Sequence, residues 1–283
     1  MTRSASRRGW PGQARRNRAG SGPTRPAALS PVPASAEAWA LLLAGAALAG
    51  LVQGMTGFAF AIVALSFWAW TLQPEVAAPL TVLCALTGQL TTLFQVRRGF
   101  EWARIAPFVI GGVFGVPMGV FVLHNVDPVR FRLVLGVLFL AYGAYGLAAP
   151  ESPKLKWGGR ALDAVVGGIG GALGGLGGIS GSVPAIWTQT RGFKRDLRRA
   201  IMQVYNIAMH CVTLTIYWQT HSLNATSGKL YAIAVAPMLV ASVYGARLYK
   251  RFSERGFAKL VLAAIAASGL ALAVGAARAL WLS

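Results

Sequence analysis

The chain has few charges, very few acids and almost no cysteine. Only 12% of its 283 residues are charged, against roughly a quarter in an ordinary soluble domain. That shortfall excludes a soluble enzyme or a soluble binding module. Eight residues are acidic, and all of them (Glu37, Glu75, Glu101, Asp127, Glu151, Asp163, Asp196 and Glu254) fall at or near the ends of apolar runs. No run carries a carboxylate at its centre, which argues against a carboxylate proton relay and against a cation site built from acids. The two cysteines, Cys84 and Cys211, lie inside apolar runs and fit neither a disulfide framework nor a zinc spacing. There is no Walker A motif, no paired carboxylates, no HExxH and no Cys/His cluster. ATP is therefore not the expected direct energy source. The sequence reads as a non-enzyme without cofactor or metal.

What is present is apolar. Hydrophobic residues make up 55% of the chain and the mean hydropathy is +0.54. Glycine is plentiful, with 34 residues, as membrane helices allow where backbones pack closely. The 27 basic residues outnumber the acids by 19 (27 − 8). They sit between apolar runs and form no basic face with interleaved aromatics, so no nucleic-acid partner is expected.

Residues 1–36 carry seven arginines, no acid before Glu37, and much Ser, Pro and Gly. They read as a disordered basic tail, dispensable for insertion. With the apolar stretch behind it, the tail has the outline of a signal peptide. That stretch recurs later in the chain, which argues against cleavage. An over-called start is the alternative account of the tail.

Ten apolar runs follow, at 38–52, 58–72, 76–96, 105–123, 133–149, 161–174, 183–190, 197–218, 230–248 and 258–277. Six approach the roughly 20 residues that a helix needs to cross the hydrocarbon core. Four are shorter and form two pairs, each interrupted by a glycine-rich link, Gly54–Gly57 and Gly174–Ser182. The pairs are copies. Gly50, Gly54 and Gly57 stand 121 positions (171 − 50) before Gly171, Gly175 and Gly178, and Ala64, Glu75 and Thr92 find Ala185, Asp196 and Thr213 at the same offset. Later the offset becomes 126 (245 − 119), matching Gly119, Phe131 and Gly143 to Gly245, Phe257 and Gly269.

Loop charge sets orientation. The stretches 97–104, 154–160, 191–199 and 247–259 are basic, whereas those near Gln73, at 124–128 and at 219–228 are poor in charge. With the basic loops in the cytoplasm, 154–160 and 191–199 share a side. The short pair between them then enters and leaves on one side, as a re-entrant hairpin, or crosses twice. Applied to the first pair, the same rule makes the two repeats inverted. The arginine tail opposes this, because it then lies outside; a single crossing by the first pair would put the tail inside and break the symmetry. The expectation is an all-α polytopic membrane protein of two inverted repeats, 37–149 and 161–277, each a Gly-broken short helix pair plus three transmembrane helices. A cytoplasmic linker (150–160) joins them, and 278–283 closes the chain.

Paired glycine breaks in corresponding positions of two halves point to a transporter site. Irregular backbone at membrane depth survives only where protein or a wet cavity satisfies it, and short helices starting at the breaks aim N–H groups at the link. That suits a small anion, held near the midplane between Gly54, Thr56, Gly57 and Phe58 of link one and Gly178, Ser180, Gly181 and Ser182 of link two. The run 197–218 carries Gln203, Asn206, His210 and Thr213 on one face. Its counterpart 76–96 has Thr81, Cys84 and Gly88 on a similar face, with Gln89 at the place equivalent to His210. Gln89, Gln203 and Asn206 are expected to line the same cavity, while Arg97 and Arg98 set orientation or attract the anion. Tight helix packing is the competing account of any single glycine, and interhelical hydrogen bonding that of the stripe.

The two Gly-x-x-x-Gly-x-x-Gly segments, Gly50–Gly57 and Gly171–Gly178, together with Ile179-Ser180-Gly181-Ser182-Val183-Pro184 and with Pro117 and Gly119, resemble the TauE/SafE sulfite exporter family over about residues 38–277. Repeat one departs from the pattern, since Met55–Phe60 lacks the glycine density of repeat two. The resemblance implies a multi-pass carrier in the inner membrane of a bacterium, moving sulfite, sulfonates or related small anions. A membrane scaffold with no transported ligand is the alternative. Its partners would then be proteins, where the carrier needs only its anionic substrate and the lipid bilayer.

Overall fold

The structure, a computed structural model, describes residues 32–93, 100–148, 155, 157–248 and 254–281. Arg97, Arg98, Gln95 and nearly all of the tail lie outside them. Ten α-helices and no strand occur among the described residues: α1 (Ala36–Thr56), α2 (Phe60–Trp68), α3 (Pro74–Leu93), α4 (Trp102–Asn125), α5 (Pro128–Ala148), α6 (Gly159–Gly177), α7 (Ser182–Thr190), α8 (Arg195–Gln219), α9 (Ala225–Leu248) and α10 (Glu254–Trp281).

Five stretches are long and apolar enough to cross a membrane: α1, α4, α5, α9 and Lys259–Trp281 of α10. Their outer faces are greasy, with Phe114, Phe121, Val240 and Leu260 all exposed. Apolar surface of that extent needs lipid to cover it. The protein is therefore a multi-pass membrane protein. Helices α3, α6 and α8 have the length but not the apolarity, because glycine or polar residues replace aliphatic ones on faces that meet protein rather than lipid.

The runs expected to be short are only half so. Helix α1 has 21 residues and α6 has 19, a length of roughly 30 Å. Only α2 and α7, of nine residues each, are short. The apolar count stops early at Gln53-Gly54 and at Gly174, but the helices continue because those residues are buried against protein. Gln53 Nε2 donates to Ala85 O of α3 at 2.9 Å, and Gly54 lies on the Ser242 carbonyl of α9.

Glycines set the main packing. Along α4, Gly111, Gly115 and Gly119 meet the carbonyls of Ala164, Gly168 and Ala172 on α6. The numbers climb together, so α4 and α6 are parallel. Gly50 and Gly54 of α1 meet Met238 and Ser242 of α9, which are parallel likewise. Between α5 and α10, Gly136 meets Ala273 and Gly143 meets Ala266, an antiparallel pair. These contacts correspond under the two sequence offsets. Gly50 on Met238 matches Gly171 on Gly112, Gly54 on Ser242 matches Gly175 on Val116, and Gly245 on Leu51 matches Gly119 on Ala172.

Each short helix folds back along its long partner and is pinned by an indole. Trp68 Nε1 donates to Leu42 O at 3.1 Å, and Trp187 Nε1 donates to Asp163 Oδ1 at 2.7 Å. Leu42 and Asp163 are equivalent positions (163 − 42 = 121). The ends of the α6–α7 hairpin meet on one face: Leu155 N donates to Thr190 O at 3.0 Å, and Arg191 Nη1 donates to Trp157 O at 2.9 Å. Arg104 at the start of α4 lies over the Phe193 ring, 5.7 Å from its centroid. The basic stretches around 104, 157 and 191 thus share a face. On the opposite face His124 is hydrogen bonded to Ser222 at 2.7 Å, and Asn224 Nδ2 reaches Glu75 O at 3.4 Å, which gathers three charge-poor stretches.

Candidate functional site

Both links are helix C-caps in the left-handed region. Gly57 has φ 87° and its N–H donates to Gln53 O at 2.7 Å; Gly178 has φ 77° and its N–H donates to Gly174 O at 2.7 Å. A residue with a Cβ is strained at such φ, so glycine is the natural occupant. Beyond the cap the links are stitched locally. The Thr56 hydroxyl donates to Val52 O at 2.8 Å and faces the amides of Phe58 and Ala59 at 3.4 Å. In link two, Ile179 N donates to Leu173 O, and both the amide and the hydroxyl of Ser182 donate to Ile179 O.

Their surroundings differ. A Cβ built on Gly57 would meet nothing within 4 Å, whereas one on Gly178 would come within 3.1 Å of Val82 Cγ2 on α3. Residues 174–182 are all buried. Ser180 Oγ donates to Asn206 Oδ1 at 2.7 Å, and Gly181 packs on the same Asn206 amide. Link one instead borders a cavity of about 350 Å³.

That cavity assembles parts far apart in sequence. Thr56, Gly57 and Phe58 come from link one, Thr188 and Gln189 from α7, Tyr142 from α5, and Arg195, Arg198, Arg199 and Gln203 from α8. Three arginines and no acid are among the described residues that line it. The Arg198 Nε is buried and donates to no described residue. All three arginines lie in the first turns of α8, where the helix dipole already places partial positive charge. Arginine is disfavoured there unless an anion offsets it, and Asp196 is the one acid in that turn.

The residues expected at the site divide into two groups. Thr56, Gly57, Phe58 and Gln203 line the cavity. Gln203 also donates through Nε2 to Gln89 O at 2.6 Å, joining the cavity to the buried stripe of α8. Gln89, Gly178, Ser180, Gly181, Ser182 and Asn206 are packed in the interior beside it. Gly54 faces α9, and its position is explained by helix packing. Along the stripe, Asn206 Nδ2, His210 Nδ1 and Thr213 Oγ1 are buried with no hydrogen-bond partner among the described residues. Water commonly serves groups of this kind.

By loop charge alone 191–199 reads as an orienting loop, whereas Arg195, Arg198 and Arg199 lie in α8. A signal was present. Arg195, Arg199, Gln203, Asn206, His210 and Thr213 continue one another at spacings of three and four, so the charged stretch extends the polar face of the helix. Among the described residues no group of three or more His, Cys, Asp or Glu gathers as metal ligands would.

The profile of the family described as Sulfite exporter TauE/SafE matches residues 42–272. No similar curated protein and no similar solved structure was found.

Proposed function

We propose, since the chain belongs to the sulfite exporter TauE/SafE family, that it is a secondary transporter whose anionic substrate binds in the cavity between link one and the start of α8. The observation that carries this reading is the set of three arginines that line one cavity with Gly57, with no acid among the described lining residues. Arginine presents a planar fork of donors suited to an oxyanion, and Gln203, Thr188 and Gln189 add neutral hydrogen-bonding groups. A bare oxyanion fills the space of about two or three waters at roughly 30 Å³ each. The cavity is several times larger, and Met55, Phe58 and Ala185 give it an apolar side. The preferred substrate is therefore an organic anion with a sulfur-oxyanion head rather than sulfite itself.

The paired helix contacts support an inverted duplication. Helix α6 starts on the basic face, parallel to α4, while its copy α1 runs parallel to α9, which starts on the opposite face. Such halves can exchange conformations. In this state link one is open beside the arginines, and link two is sealed by Ser180, Asn206 and Val82. Exchange would open link two toward the charge-poor face and seal link one, moving the anion past Gln203 and Asn206. With the basic face in the cytoplasm, the open cavity takes substrate from inside, in the plasma membrane of a bacterium.

The test is flux. Proteoliposomes holding the purified protein should move methanesulfonate or a related small sulfonate. Arg198→Gln should weaken binding by the 1.5–3 kcal/mol of a charge-assisted hydrogen bond, about 10- to 150-fold, with unchanged insertion. A scaffold would show no flux of sulfite, sulfonates, thiosulfate or simple carboxylates, and that result would end the transporter reading.

A further inference from the structure

Helices α5 and α10 form a pair with a symmetry of its own. Gly143 of α5 lies on the Leu262 carbonyl and the Ala266 amide of α10, and Gly269 of α10 lies on the Gly136 carbonyl and the Leu140 amide of α5. The two contacts are copies of each other at the offset of 126 (269 − 143), so the pair relates one repeat to the other. Within it glycine rests directly on backbone. Such a contact cannot shear without a clash, and the pair is stiff. Its seat on the rest of the protein is different. The anion cavity of about 350 Å³ lies between Tyr142 and Ile265 of the pair and link one, α7 and α8. A groove of about 690 Å³ lies between Leu260 and Ala264 of α10 and the α1–α2 hairpin, including Leu48 and Phe67. Two hollows thus border the pair where it faces the other helices. Polar contacts reach from it to both short helices. Ser268 Oγ donates to Ser66 O of α2 at 2.9 Å, and the Tyr145 hydroxyl lies 3.5 Å from Thr190 Oγ1 of α7. A stiff unit bordered by hollows can shift without breaking its own packing.

We propose that the α5–α10 pair is the moving wall of the anion cavity. It rocks as one body between α2 and α7, the two copies of the short helix, and closes the cavity at link one as space opens at link two. This rests on the reading of the cavity as the anion site and adds the element that moves. Exchanging the two repeats puts Gly143 and Gly269 in each other's places, so the contact inside the pair survives the exchange and only its seat changes. In the arrangement described here Ser268 holds the pair against α2 while the cavity stands open beside link one.

The experiment fixes that seat in the full chain. In a background of Cys84→Ser and Cys211→Ser, the changes Ser66→Cys and Ser268→Cys place two thiols in one groove. Mercuric ion bridges them and dithiothreitol releases them. Methanesulfonate flux is read in proteoliposomes and its binding by calorimetry in nanodiscs, before and after bridging, with each single-cysteine protein as the control for the metal. Bridging should lower flux at least about tenfold, because a carrier held in one arrangement cannot cycle. Binding should be no weaker than before, since the bridge keeps the cavity open and removes the competing arrangement. Dithiothreitol should restore flux. A bridged protein that transports at its unbridged rate would overturn the proposal, because the wall then does not move. So would binding lost on bridging, which would mean that a pair resting on α2 closes the cavity. Thiols that fail to bridge would overturn it as well, because the pair then does not rest on α2. If wild type neither binds nor moves methanesulfonate, the underlying anion site is wrong, and that outcome is distinct from the other three.

Discussion

Gly57 offers a substitution in which stability and binding should move in opposite directions. It holds φ 87° at the cap of α1, and an added Cβ there meets nothing within 4 Å. Asn and Asp enter the left-handed region more readily than other residues. Gly57→Asn and Gly57→Asp should therefore each cost no more than about 1–2 kcal/mol of backbone strain. The two side chains have nearly the same shape and differ by one charge. If the substrate anion lies among Arg195, Arg198 and Arg199, the new carboxylate repels it across the shared cavity, at a separation on the order of 7 Å. With an effective dielectric constant of about 20, the repulsion is about 332/(20 × 7), or about 2.4 kcal/mol. That is about 50-fold in dissociation constant, trimmed toward fivefold by screening over a Debye length of about 8 Å at physiological salt. Stability should run the other way, because the same carboxylate faces the same arginines in the empty protein. Calorimetric titration with methanesulfonate, alongside thermal unfolding in the same detergent, measures both. Gly57→Asp should bind at least about fivefold more weakly than Gly57→Asn and melt no lower. Equal binding by the two variants would refute the placement of the anion beside link one.

Further outcomes follow from the same geometry. Gly178→Ala adds overpacking against Val82 to the strain of φ 77°, and should lose about 1–3 kcal/mol more than Gly57→Ala in thermal unfolding; equal losses would mean that link two is not sealed. Ser180→Ala leaves Asn206 Oδ1 without its donor, so stability should fall by about 1–3 kcal/mol while methanesulfonate binding to the cavity stays within twofold; a large loss of affinity with intact stability would place Ser180 on the substrate. Methanesulfonate affinity should be flat between about pH 6 and 8, since arginine keeps its charge and the described residues of the cavity lining include neither acid nor histidine; a steep profile would require a titrating group nearby. In a background of Cys84→Ser and Cys211→Ser, Thr220→Cys and Lys194→Cys should react with impermeant thiol reagents from opposite sides of a sealed vesicle, and labelling from one side would overturn the two-faced topology.

The class of the protein was written in its composition and periodicity. A chain this apolar, with acids only at run ends and basic loops alternating with bare ones, can satisfy its backbone in lipid only as helices. The fixed offsets that suggest a duplication were legible as well, because Gly50, Gly54 and Gly57 recur as Gly171, Gly175 and Gly178, and a glycine where two helices touch is a local requirement. Gly57 and Gly178 stood out for the same reason, since a left-handed cap asks for glycine whatever surrounds it. Sequence runs misjudged α1 and α6, because Gln53, Gly54 and Gly174 count as polar or neutral in a window but are buried against α3, against α9 and by the hairpin's own link, respectively. Tertiary structure alone decided that the two links, alike in backbone, have unlike fates. Link one faces arginines that follow it by about 140 positions, and link two is closed by Asn206 and Val82. Periodicity reports which face of a helix is polar; it carries no information on which distant face comes to lie opposite. The arginines of the proposed anion cavity are therefore visible one by one in the chain, and their meeting with Gly57 around one cavity exists only once the helices have packed.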